Sequence, residues 1–136
     1  MDPDDQVQVL PSPSLDVYSF SIIMWELFFA QAPYTNSNGL CENKTTCRNM
    51  TPLSILSKVS RGERPVVPFN TRTELESWLE KYVPEYVSPK TSFTLVYVVD
   101  DYVSLMKECW NQDATLRPSF QDISHRLSYM QEQLNT

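Results

Sequence analysis

Residues 14–29, SLDVYSFSIIMWELFF, keep almost no polar face. A helix that is apolar on nearly every side belongs in the middle of a protein rather than on its surface. Ser14 can cap a helix starting at Leu15, and Asp16 in the first turn suits the positive end of the helix dipole. The pattern runs to about Phe29 and stops before Pro33. Further on, Thr51 and Pro52 supply an N-cap and a proline at the first helical position, Leu53, Leu56 and Val59 form a stripe, and Gly62 closes the helix. The prolines of ERPVVP (63–68) make that stretch extended. Another helix is predicted from Thr73, with Glu76 completing a capping box and a stripe of Leu75, Trp78, Leu79, Tyr82 and Val83 ending at Pro84. Tyr102, Val103, Leu105, Met106, Cys109 and Trp110 then fall at the spacing of a short amphipathic helix. Ser119 and Asp122 form a cap ahead of a last helix that carries Phe120, Ile123, Leu127, Met130 and Leu134.

Three stretches break this rhythm. Residues 1–13 are acidic and punctuated by prolines, hence extended or looped, and residues 34–50 form a polar, turn-rich loop. Residues 89–99, PKTSFTLVYVV, are rich in β-branched and aromatic side chains, which favours a strand. A strand there has no pairing partner in an otherwise helical chain, so the residues alone leave this piece open. The expectation for the whole is a mainly helical bundle with short connections and no internal repeat.

Composition narrows the function. A chain of 136 residues fits one domain, and a domain of that size buries roughly two-thirds of its unfolded surface. Its net charge of −6, with the basic residues scattered, argues against a nucleic-acid or anionic-membrane surface. The stretch 17–30 is too short for a membrane span and contains Ser19, Ser21 and Glu26. The N-terminus lacks the basic and apolar regions of a secretory signal, and Cys41, Cys47 and Cys109 are an odd count, so reduced thiols in a cytoplasmic setting are expected. The glycosylation-type triplets at Asn43 and Asn49 are discounted on the same grounds.

Candidate chemistry is sparse. Cys41, Cys47, Cys109 and His125 have the residue types of a zinc site, but no C-x2-C spacing exists and the latter two fall in separate helices. A cysteine nucleophile needs a nearby base, and the single histidine is expected on a solvated helix face. No catalytic, cofactor or metal site is predicted from the residues.

Three segments in order, SLDVYSFSIIMWEL…APY (14–34), ILSKVSRGERPVVP (55–68) and YVSLMKECWNQDATLRPSFQDISHRL (102–127), resemble the C-terminal half of a eukaryotic protein kinase catalytic domain. The wording is closest to the tyrosine-kinase-like group. MDPD at residues 1–4 is similar to the end of the activation segment, where the family reads Ala-Pro-Glu. The resemblance implies an incomplete kinase-like fold: the helical C-terminal lobe without the N-lobe or catalytic loop. Its parts would be the end of the activation segment (1–13), the central helix (14–29), a loop (34–50), a helix (51–62), an insert (69–101) and the last two helices (102–134).

The residue roles that follow are structural. Asp16 matches an aspartate that accepts backbone hydrogen bonds from the catalytic loop; without the resemblance it is simply a first-turn aspartate favoured by the dipole. Ile23 and Leu27 match apolar positions that indirectly support the column reaching the adenine ring, and are expected in the core on either reading. Arg117 matches a buried arginine that pairs with the glutamate ending the activation segment. The candidate partner here, Asp4, is one methylene shorter. Trp110 matches a packing tryptophan, and Trp25 lies within the first matched segment.

Everything that touches ATP is missing. Gly39 and Gly62 are the only glycines, so no Gly-rich phosphate loop exists, and neither His-Arg-Asp nor Asp-Phe-Gly occurs; His125-Arg126-Leu127 is a false echo. The expectation is therefore a fragment of an ATP- and magnesium-dependent protein kinase, acting on Ser/Thr or, as second choice, Tyr in its full-length parent. This chain alone would be inactive and hold no cofactor. Met1 coincides with a methionine the family often places before Ala-Pro-Glu, which points to an internal start within a longer gene. The alternative is a non-catalytic, kinase-like interaction or scaffold module. Either way the 17–29 helix should leave an apolar groove, to be covered by the missing kinase segments or by a protein partner, not by nucleic acid or membrane.

Overall fold

A computed structural model of the chain describes residues 13–34, 50–83 and 89–135, with backbone alone over 89–92. The described residues form five α-helices and one 3₁₀ turn, with no strand among them. The helices are α1 (Pro13–Phe29), α2 (Pro52–Ser60), α3 (Arg72–Tyr82), α4 (Pro89–Cys109) and α5 (Phe120–Leu134), and the 3₁₀ turn is Ala114–Leu116. This is the mainly helical fold that the hydrophobic periodicity predicts.

Most of the expected helix ends are in place. Thr51 accepts the amide of Ser54 at 3.3 Å ahead of Pro52, and Ser119 accepts that of Asp122 at 3.1 Å. Such caps are worth about 1 kcal/mol each. Gly62, at φ 90°, closes α2 by donating its N–H to Val59 O at 2.9 Å. Ala30 ends α1 in the same left-handed region at φ 53°, with its N–H on Glu26 O at 2.8 Å. A residue with a Cβ is held there at a cost of about 1 kcal/mol relative to glycine. The α3 cap is shifted from the predicted frame: Thr71, not Thr73, accepts the amide of Glu74 at 3.2 Å and donates to its carboxylate at 3.2 Å. Thr-x-x-Glu occurs in both frames, and the earlier one adds a further half-turn of helix.

The largest departure is α4. The helix predicted from Tyr102 begins instead at Pro89 and absorbs the β-branched stretch. Burial follows the helical period: Val96, Val99, Val103 and Met106 are buried, while Phe93 and Tyr97 are exposed. In a strand Val96 and Val99 would point to opposite faces. Each buried valine gains about 1.5 kcal/mol or more, which exceeds the few tenths that β-branching costs a helix. The helix also supplies backbone hydrogen bonds that an unpaired strand would lack.

Helix α4 packs against α1, α3 and α5. Val17, Met24, Trp25 and Phe29 of α1, Leu75 and Leu79 of α3, and Ile123 and Met130 of α5 complete the core with it. The described parts of 69–101 therefore belong to the packed core. Phe69 is buried, and Trp78 of α3 stacks on Phe28 (centroids 5.5 Å apart) and meets Phe29 edge-on at 5.8 Å. Phe28 in turn stacks on Tyr102 at 5.6 Å, and the Tyr102 hydroxyl donates to Met24 O at 2.8 Å. Aromatic contacts of this kind add roughly 0.5–1.5 kcal/mol each beyond the area they bury.

If the helical face of α4 holds the core, Val99→Ala should lower stability by about 1–3 kcal/mol. Phe93→Ala should change it by no more than about 0.5 kcal/mol. Urea denaturation of the two variants checks this, and equal losses would contradict the helical register.

Candidate functional site

Of the predicted residues, Arg117 and Trp110 meet at a junction between helix ends; the other described ones lie elsewhere. Tyr18 of α1 lies at the middle of that junction. The guanidinium carbons of Arg64 and Arg117 each stand 5.1 Å from the Tyr18 ring centroid, at the distance of a cation–π contact. Arg117 follows the 3₁₀ turn, which Asp113 caps by accepting the Thr115 amide at 3.0 Å. From there its Nε donates to Asn111 O and its Nη1 to Ser14 O, both at 2.9 Å. The arginine thus ties the first turn of α1 to the turn after α4. Its proposed partner Asp4 lies outside the described residues.

Arg64 does the same for α2. It sits in the extended segment between α2 and α3, where Nε donates to Trp110 O at 2.9 Å and Nη1 to Val59 O at 3.3 Å. Its Nη2 donates to the side-chain carbonyl of Gln112, whose own amide donates to Ser60 O at 3.3 Å. Few other side chains could serve, because a guanidinium offers five donors in a planar fork and stays charged. The residue pattern of ERPVVP predicts an extended segment and assigns Arg64 no role. An arginine between two candidate helices, fixed by the following Pro65, was the available signal.

The remaining predicted residues divide by face. Trp25 is buried and its indole N–H donates to Val66 O at 2.8 Å, which fixes the extended segment against α1. Trp110 is buried at the end of α4. Asp16 is exposed in the first turn of α1. Ile23 and Leu27 depart from the expected core: they are 49% and 75% exposed. The reason is helical phase. Val17, Ser21, Met24, Trp25 and Phe29 form the buried arc, which leaves Leu15, Ile23 and Leu27 on the other side.

The polar groups here are matched to structure. The Ser21 hydroxyl, fully buried, donates to Tyr18 O one turn back. The Tyr34 hydroxyl lies 3.4 Å from that of Tyr18; burial foremost, then this hydrogen bond, raises its pKa far above the ordinary tyrosine value, while the Arg64 charge opposes the shift. Cys109 is buried, and burial, followed by the charge of Glu108, pushes its thiol from 9.0 up to about 11. A buried thiol held protonated in this way is a poor nucleophile at neutral pH. His125 is exposed on α5, and Cys41 and Cys47 lie outside the described residues. Among the described residues no group of three or more His, Cys, Asp or Glu side chains could hold a metal ion, and no helix is long and apolar enough to cross a membrane.

No family model matches the chain. Individual proteins do. A serine/threonine-protein kinase/receptor of Acanthamoeba polyphaga mimivirus is 32% identical over 114 residues, 83% of this chain and 5% of that protein. The human ankyrin repeat and protein kinase domain-containing protein 1 is 30% identical over 114 residues, 84% of this chain and 10% of that protein. A serine/threonine-protein kinase of Arabidopsis thaliana is 28% identical over 116 residues, 85% of this chain and 13% of that protein. Most of the chain is therefore similar to Ser/Thr protein kinases, and it spans only a small part of their length.

Two outcomes follow from this geometry. Arg117→Ala should destabilise the chain by about 2–4 kcal/mol in urea, through two lost charge-assisted bonds and a lost ring contact, with Arg117→Lys recovering part. An unchanged midpoint would mean that these bonds carry no net stability. The second concerns alkali. Burial raises Cys109 to about 11 and Tyr102 from 10.0 to about 12. Both groups bind protons more tightly folded than unfolded, so their contribution is complete below the unfolded values and is lost as pH rises through the folded ones. The melting temperature should begin to fall above pH 9 or so, and Tyr102→Phe should flatten the part above pH 10. A melting temperature independent of pH over this range would contradict the shifts.

Proposed function

We propose that the chain is the C-terminal part of a protein kinase catalytic domain of the tyrosine-kinase-like group. In the longer parent it belongs to an enzyme that transfers phosphate from magnesium-ATP to protein Ser/Thr, with Tyr as the second choice, in cytoplasmic signal transduction. The observation that carries the reading is similarity to Ser/Thr protein kinases over 83–85% of the chain, in a chain that folds as helices. Within it the matched residues have architectural roles: Arg117 and Trp25 join segments and Trp110 packs, while Asp16, exposed in the first turn of α1, is assigned by the resemblance to accept amides from a catalytic loop. ATP and magnesium are held by the parent's other segments, and this chain alone is inactive. The missing kinase segments cover α1.

One observation favours the second reading, a non-catalytic interaction module: the exposed Leu15, Ile23 and Leu27 on α1. Under it a separate protein partner supplies the cover.

Sequencing the transcript upstream of the Met1 codon separates the two. An open frame running back through Asp-Phe-Gly and His-Arg-Asp is expected. An in-frame stop directly upstream, together with a soluble and cooperatively unfolding chain, would replace the kinase reading by the module. The isolated chain should also bind no magnesium-ATP by calorimetry and transfer no radiolabelled phosphate to a protein substrate. Transfer by these 136 residues would overturn the assignment of the chemistry to other segments.

A further inference from the structure

We draw no further inference here: the strongest candidate, the exposed apolar stripe that Leu15, Ile23 and Leu27 form along α1 beside Asp16 and Glu26, is an unpartnered helix face, and nothing in the structure shows what covers it.

Discussion

Three helices pack against α4, so its Val96, Val99, Val103, Leu105, Met106 and Cys109 must stay dry for α1, α3 and α5 to remain in place. The constraint reaches back to local structure. A segment whose own preference is extended is held helical because that is the geometry in which its valines fall on one side. Trp78, packed on the aromatic side of α1, carries a buried indole N–H with no acceptor among the described residues. An unmade bond of that kind costs about 1–3 kcal/mol, and the contacts of the indole with Phe28, Phe29 and Phe69 offset it.

Where the core ends, arginines take over. The ends of α2 and α4 expose main-chain carbonyls that no helix can satisfy, and Arg64 reaches Val59 O and Trp110 O from a single guanidinium. Arg117 repeats the device at Ser14 O and Asn111 O. Tyr18 offers its ring to both cations, each 5.1 Å from its centroid. Helix ends are thus joined by polar bonds with fixed directions, whereas the helix faces are joined by area.

What could be read from the residues divides along the same line. The caps at Thr51 and Ser119 and the end of α1 at Phe29 were legible because they depend on chemistry within four residues. The α3 cap was legible in kind but not in frame, since Thr71 and Thr73 are each followed three residues later by a glutamate. The helical state of 89–101 was not legible, because it is decided by burial against helices distant in sequence. Ile23 and Leu27 were misplaced for a related reason. A helix apolar all round gives no phase, so composition could not say which arc faces α4. Likeness to kinases pointed to Arg117 through a pairing with Asp4, which lies outside the described residues, whereas the carbonyls that Arg117, Trp25 and Arg64 reach could not be read from the residues.

The bond from Arg117 to Ser14 O closes a loop of 103 residues in sequence. A chain emerging from the ribosome therefore presents α1 long before its fastener has been made. During that interval the aromatic side of α1, with Trp25, Phe28 and Phe29, also waits for α4, which follows it in the chain. Contacts so far apart in sequence close late in folding, and the apolar surface they cover stays exposed until they do.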